Sequence, residues 1–182
     1  LARIVKLYPD MQAMITGVAG EREETLTVSW ASLEKRKEEY EDLVNRQIPQ
    51  NTKDIAIARS YGDLRENFEF KSAKEQQRVL MRRRSEAERD LSRARGTNFE
   101  NPDTSQVSIG TVVTLRDMAG AEETYCILGA WDSAPGLGII SYKAVIGQAL
   151  LGKGVGESAE LPTESGTRSV TIVRIEAFTS LD

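Results

Sequence analysis

The sequence predicts an α+β protein in which two long, charged helices precede a small β-rich domain. Between Phe70 and Ala94, residues suited to a helical seam recur at alternating steps of three and four, which is a heptad pattern held for more than three heptads. After Val107 the pattern changes to short runs of β-branched residues separated by turn residues. The 182 residues suffice for one medium or two small domains, and the 29 % of charged residues fits an extended helical element.

The first helix is expected to begin at Ser32, with Ser29 or Ser32 as its N-cap. Pro49 should kink or split it, because proline lacks a donor and clashes with the preceding turn. Gly62 is the predicted stop, as glycine is favoured just after a helix. The residues whose spacing fits one face are Leu33, Tyr40, Val44, Gln47, Asn51, Ile55 and Ala58.

The second helix is expected to begin at or just after Asp63 and to stop at Gly96. Asp63 and Glu66 have the spacing of a capping box, in which both side chains bond to free amides of the first turn. Two such helices joined by a tight turn predict an antiparallel coiled-coil hairpin over residues 27–96. Its predicted seam in the second helix is Phe70, Ala73, Gln77, Leu80, Arg84, Ala87, Leu91 and Ala94.

The remaining segments divide into a lead-in, a linker and a β-rich domain. Residues 1–26 carry little signal, and a first residue that is not Met led us to expect a fragment or a processed product. Residues 97–106 are polar and predict a linker that allows some relative motion. Residues 107–182 predict an α+β domain with strands at 107–115, 124–128, 137–142 and 169–177, and one short helix at 144–151.

Composition excludes several classes of function. Cys126 is the single cysteine and histidine is absent, so disulfides, zinc fingers and histidine acid–base catalysis are not expected. A lone thiol in an apolar run indicates a small buried residue in a reducing compartment. The sequence contains no run of about 18 apolar residues, so a membrane-spanning helix is not expected. The glycines at 152, 154 and 156 do not follow a strand and open a helix, which disfavours a nucleotide-phosphate loop.

Charge is distributed unevenly along the chain. Residues 71–95 hold nine Lys or Arg against four Asp or Glu, a net charge of +5 within a chain of net charge -4. Four of these cations share one helix face: Lys71, Lys74, Arg78 and Arg82. This basic row is either a solvated helix stripe or a contact surface for nucleic-acid phosphates.

Asp63 and Glu66 also have two interpretations from spacing alone. They either cap the second helix, or they project from the turn as ligands for a hard divalent cation. Two carboxylates alone are too few ligands for a magnesium site, although they can complete a site that another molecule has partly built.

The chain resembles the Gre family of bacterial transcript-cleavage factors, and the GreA branch in particular. The turn and the start of the second helix carry the most specific likeness, in Gly62-Asp63-Leu64-Arg65-Glu66-Asn67, Glu69-Phe70 and Ala73-Lys74-Glu75-Gln76-Gln77. Ala149-Leu150-Leu151-Gly152-Lys153 and Gly156-Glu157 resemble a second family segment. The likeness covers about residues 27–178 and departs from the family at Tyr142-Lys143 and at Glu157.

The resemblance implies a fold, a partner and roles for these residues. The second domain would be FKBP-like and would dock on RNA polymerase near its secondary channel, with Tyr142, Lys143, Leu150, Gly152 and Lys153 as the expected docking residues. The hairpin would bring Asp63 and Glu66 to the polymerase active site. There they would share a magnesium ion with the polymerase, so that the polymerase hydrolyses the 3′ end of backtracked RNA. Lys74 falls on the family's basic position, which is expected to contact that RNA.

The resemblance therefore implies a monomeric, cytoplasmic accessory factor that holds no cofactor by itself and is not an enzyme. Two alternatives remain open at this point. One is an anti-cleavage relative that enters the same channel and inhibits. The other is a structural adaptor that uses the helices for protein contacts alone.

Overall fold

The computed structural model describes residues 24–62, 67–163 and 166–179, and it confirms the α+β class. The predicted lead-in, residues 1–26, therefore lies outside the described part of the chain as far as residue 23. A helical unit comes first, followed by a five-stranded sheet carrying one short helix. In the described residues, no helix has the length and apolar character needed to cross a membrane.

The helical unit is framed by two short strands. β1 (Leu26–Ser29) leads into helix α1 (Trp30–Asp42), and β2 (Ala94–Thr97) follows the last helix. The two strands pair in parallel, with Leu26 opposite Ala94 and Ser29 opposite Thr97. The predicted stop at Gly96 is thus wrong in detail, because the helix ends at Arg93 and the chain continues as a strand through the glycine.

The first helix starts two residues earlier than expected and continues through the proline. The Ser29 side chain accepts a hydrogen bond from the Ser32 amide, which makes Ser29 the N-cap. A π-helical turn (Leu43–Gln47) joins α1 to helix α2 (Ile48–Ser60), and Pro49 is the second residue of α2. The wide turn satisfies the Ile48 amide through the Leu43 carbonyl, so the irregularity that Pro49 demands is absorbed without ending the helix.

Helix α3 (Phe68–Arg93) runs antiparallel to α1 and α2 along 26 residues, or about 39 Å. Contacts at three levels establish this direction: Tyr40 with Glu88, Asn51 with Ala73, and Ala58 with Asn67. Leu80 is fully buried in the seam, as predicted, while Arg84 lies exposed at its edge. We call α1, the π-helical turn, α2 and α3 the helical pair; the coiled-coil and FKBP-like descriptions remain predictions.

The sheet has the strand order β5-β4-β3-β7-β6, with only β4 and β5 parallel. Its strands are β3 (Thr111–Asp117), β4 (Glu122–Leu128), β5 (Ile139–Ser141), β6 (Ser158–Thr163) and β7 (Gly166–Ala177). Helix α4 (Val145–Leu150) covers one face, where Leu150 packs with Leu115, Ile127 and Ile172. The sequence analysis missed β6, which occupies an edge of the sheet.

The segment after β2 differs from the polar linker that was expected. Phe99 is buried against Cys126, Leu128 and Ile139, and its ring meets Phe178 edge-on at 6.4 Å between centroids. It adopts a positive φ of 59°, a conformation that is uncommon for any residue other than glycine. This packing ties Phe99 to the sheet domain, and the relative motion expected over residues 97–106 stays a prediction.

Candidate functional site

The far end of the helical pair is closed by one carbonyl group. The Ala58 carbonyl accepts from the Asn67 side-chain amide at 2.6 Å and from the Tyr61 backbone amide at 3.4 Å. Gly62 follows with a φ of +105°, as expected of a residue that ends a helix. These bonds hold Tyr61 and Asn67 near each other, and Asp63 and Glu66, which come between them in the sequence, lie outside the described part of the chain.

The capping-box prediction is wrong, because helix α3 is capped by a different residue. The Asn67 side-chain oxygen accepts from the Phe70 amide at 2.8 Å, and the helix begins at Phe68. Asn67 thus caps one helix and ties down the other with a single side chain. The N-cap position of α3 is thus filled by Asn67, and the cation-ligand hypothesis for Asp63 and Glu66 stays a prediction.

Polar contacts between the helices hold their alignment. Asn51 is only 5 % exposed, and its side-chain amide donates to the Ala73 carbonyl at 2.9 Å. Nearer the base, Glu88 accepts from the Tyr40 hydroxyl at 2.7 Å and from Arg84 at 2.8 Å. The Tyr40 bond and then the Arg84 bond hold the pKa of Glu88 below its usual value. If one helix slid past the other, both sets of bonds would break. These residues therefore fix the register of α3 against α1 and α2.

The structure brings the basic row together on one exposed face of α3. Lys71, Lys74, Arg78 and Arg82 are all exposed. Lys74 donates to Gln77 at 2.7 Å, and Arg78 forms an ion pair with Glu75 at 3.0 Å. Exposed ion pairs of this kind contribute little and exchange readily for other partners, so the row remains available to phosphates.

The five expected docking residues separate into buried and exposed groups. Leu150 is 0 % exposed and Tyr142 is buried beside it in the core, so neither side chain offers a surface for direct docking. Lys143 pairs with Glu24 and lies 5.6 Å from the Tyr142 ring. Gly152 turns with a φ of +77°, and Lys153 next to it is half-buried. Leu150 and Tyr142 can contribute to docking only indirectly, by packing in the core under the turn at Gly152.

The sequence analysis missed the junction between the helical pair and the sheet. Asp132 accepts hydrogen bonds from the Ser29 amide at 2.8 Å and from the hydroxyls of Ser29 and Ser32, both at 2.5 Å. The Ala130 amide bonds to the Thr27 carbonyl at 2.7 Å, and the Arg36 guanidinium lies 4.9 Å from the Trp131 ring. No sequence signal distinguished Asp132, because its partners lie about 100 residues away.

Two glycines allow the close approach at this junction. A Cβ atom on Gly129 would lie 2.6 Å from the Val28 Cα, and one on Gly96 would lie 2.5 Å from the Trp30 ring. Neither contact leaves room for a side chain. The junction is therefore a fitted interface, and it sets the direction in which the helical pair leaves the sheet domain.

Within residues 24–62, 67–163 and 166–179 there is no group of three or more metal-ligating side chains. The Cys126 thiol is buried, and desolvation raises its pKa from 9.0 to about 11, which makes it a poor ligand and a poor nucleophile. The chemically distinctive region of the chain is thus the far end of the helical pair.

Comparison with known proteins gives a consistent result for both halves of the chain. Residues 26–95 match the family described as transcription elongation factor, N-terminal, and residues 101–177 match the family described as transcription elongation factor, GreA/GreB, C-term. The chain is 37 % identical to the transcription elongation factor GreA of Treponema pallidum over 84 % of this chain and 94 % of that protein.

A second relative differs greatly in length. The protein named transcription elongation factor GreA from Borreliella burgdorferi is 38 % identical over 87 % of this chain, and the chain spans 18 % of its length. Among solved structures, GreA factor homolog 1 of Thermus thermophilus is 24 % identical, with a TM-score of 0.39, covering 85 % of this chain and 100 % of that one.

Proposed function

The chain belongs to the GreA/GreB family of transcription elongation factors, and on that premise we propose that it stimulates RNA polymerase to cleave backtracked RNA. It acts as an accessory factor in the cytoplasm: the polymerase performs the hydrolysis, and this chain supplies two carboxylates. The sheet domain docks on the polymerase, and the helical pair reaches through the secondary channel to the active site.

The observation that carries the proposal is the place of the two acids in the chain. Asp63 and Glu66 lie in the sequence between Gly62 and Asn67, and both the Asn67 side chain and the Tyr61 amide donate to the Ala58 carbonyl. A helix of 26 residues separates this end from the base, which is the reach that a probe of a deep channel requires. Asn67 supplies the side-chain cap of α3, so the proposed role of the two acids does not compete with capping at that position.

The donor chemistry fits a shared magnesium ion. Carboxylate oxygens are hard donors that Mg²⁺ prefers, but two of them leave an octahedral site incomplete, so the polymerase must provide the remaining ligands. Such an ion activates water and stabilises the charge that develops in phosphodiester hydrolysis. The role of Asp63 and Glu66 is to hold and orient it, and the role of Asn67 is to hold the start of α3 against the end of α2.

Docking is assigned to the exposed surface around Lys143 and Lys153 on the sheet domain. Leu150 and Tyr142 pack beneath this surface and keep its shape. The basic row on α3 lies along the path of an RNA strand displaced beside the helical pair, where its cations contact phosphates without reading sequence.

The experiment is an RNA-cleavage assay on a stalled, backtracked polymerase complex with the wild-type chain, Asp63→Asn, Glu66→Gln and the double variant. The variants should bind polymerase normally and lose most stimulation, because a neutral amide is a poorer magnesium ligand than a carboxylate. Added Mg²⁺ should restore part of the loss by mass action. Full stimulation by the double variant would overturn the role of the acids, and inhibition of cleavage by the wild-type chain would identify an inhibitor instead.

A further inference from the structure

Phe68 is the most exposed aromatic side chain of the described residues, at 84 %. It is the first residue of α3, directly after the cap Asn67. Tyr61, 67 % exposed, lies at the same end, because its amide and the Asn67 side chain share the Ala58 carbonyl. Two exposed aromatic residues thus flank, along the sequence, the segment that carries the acids.

Phe68 has no packing role that explains its presence. The neighbouring aromatic, Phe70, is half-buried in the seam with the Arg59 guanidinium 6.0 Å from its ring, whereas Phe68 belongs to none of the apolar clusters seen in the described residues. An apolar ring of this size in water is unfavourable for the free protein. The ring is therefore accessible to a partner that reaches the end of the helical pair.

The charge around Phe68 indicates the chemistry of that partner. Lys71 is its i, i+3 neighbour on one face of α3, and the basic row continues from there. On the other flank, Asp54 and Glu69 line a shallow depression beside the ring. A polyanion is drawn to the Lys71 side and repelled from the acidic flank, so the charges confine it to one path past the ring.

We propose that Phe68 is a stacking platform for an unpaired base of the displaced RNA, whose phosphates follow Lys71, Lys74, Arg78 and Arg82. An aromatic face beside a row of cations is the arrangement by which proteins hold single strands without reading their sequence. Successive cations of the row rise by about 4.5–6 Å along the helix, a spacing comparable to that of phosphates in an extended strand. This inference rests on the proposed function and adds a specific ligand contact to it.

The stacked base has a consequence for the reaction. Glu66 precedes Phe68 by two residues in the sequence, so we expect a base held on the ring to limit which phosphodiester bond is presented for cleavage. Phe68 is then a positioning residue that influences the length of the released fragment, and it takes no part in the hydrolysis itself.

The test is a double-mutant cycle between protein and RNA in the cleavage assay. Phe68→Ala, Phe68→Leu and Phe68→Trp are compared on backtracked complexes whose displaced 3′ segment carries either normal nucleotides or an abasic one. Met118→Ala is the matched control, because Met118 is 93 % exposed in the turn between β3 and β4 of the sheet domain. Phe68→Ala removes no core packing, so all variants should fold with unchanged thermal stability.

Stacking predicts that Phe68→Ala and Phe68→Leu slow cleavage by about 5- to 100-fold on normal RNA, while Phe68→Trp retains the rate. On one abasic RNA the wild-type chain should slow to the level of the Ala variant, and the two changes should not add. Equal rates for Phe68→Ala and wild type would overturn the inference and leave the proposed function intact. A loss that is the same on normal and abasic RNA would assign Phe68 to a protein surface of the polymerase and overturn it as well. Absence of stimulation by the wild-type chain would reject the proposed function together with this inference.

Discussion

The Ser29 hydroxyl donates a 2.5 Å hydrogen bond to the Asp132 carboxylate, 103 residues further along the chain. Ser29 is also the N-cap of α1, so the residue that begins the helical pair is held directly by the sheet domain. The carboxylate lies where the partial positive charge of the helix N-terminus favours an anion. This bond joins local helix capping to the relative placement of the two parts of the molecule.

Asp132→Asn should loosen the junction. The amide nitrogen would face the Ser29 amide or one of the two hydroxyls, and hydrogen bonds to a charged acceptor are lost, at a cost of about 2 kcal/mol in the free energy of unfolding. Distances between spin labels on α3 and on β7 should broaden, and RNA cleavage should fall while polymerase binding is retained. Asp117→Asn is the control, because Asp117 accepts amide bonds in a sheet turn away from the junction. An unchanged distance distribution would show that Asp132 does not set the angle.

Asn67→Ala should destabilise the end of the helical pair by about 1–2 kcal/mol through loss of the cap. Asn67→Asp keeps the acceptor for the Phe70 amide but loses the donor to the Ala58 carbonyl. The Asp variant should therefore keep the cap, unfold at a lower temperature than the wild type through the lost bond to Ala58, and lose cleavage stimulation, because the start of α3 is no longer held against α2. Wild-type stimulation by the Asp variant would limit Asn67 to capping.

Reversing two charges of the basic row should weaken action on deeply backtracked complexes. The Lys74→Glu, Arg78→Glu double variant is compared with Lys35→Glu, Lys37→Glu, which makes the same change in net charge on α1 near the base. The loss in cleavage rate should be confined to the first variant and should shrink as salt is raised, because phosphate contacts are screened. Equal rates for both variants at low salt would return the row to a solvated stripe.

The Cys126 thiol should be alkylated slowly, and its ionisation should lower the free energy of unfolding at alkaline pH. Because its pKa is about 11 rather than 9.0, alkylation by iodoacetamide at pH 8 should be about 100-fold slower than for a thiol of ordinary pKa. Between pH 9 and 11 the unfolded chain ionises before the folded one, so this residue favours unfolding as pH rises. Cys126→Ala should lack that part of the alkaline loss in a urea-unfolding series. A labelling rate that levels off near pH 9 would contradict the burial.

Periodicity was sufficient for the seam, because Leu80, Ala58 and Asn51 are buried where the spacing places them. The choice of cap was beyond it: Asp63 and Asn67 are equally good N-caps in isolation, and the second bond of Asn67 to Ala58 is a tertiary contact. The strand β6 contains Pro162, a residue that disfavours a strand in a local pattern, yet an edge strand tolerates proline. Phe99 and Asp132 find their partners in residues distant along the chain, which a local pattern cannot indicate.

The parallel pairing of β1 with β2 has a mechanical meaning for the helical pair. A helical element attached through one chain connection can rotate about that connection. Here the strands at both ends of the helical pair, β1 and β2, lie side by side, with Leu26 opposite Ala94. Torque applied at the far end is then resisted by a ladder of hydrogen bonds in addition to the stiffness of the helices. The far end of the helical pair therefore keeps its rotational orientation relative to the sheet domain, because there is no single bond about which the pair could turn.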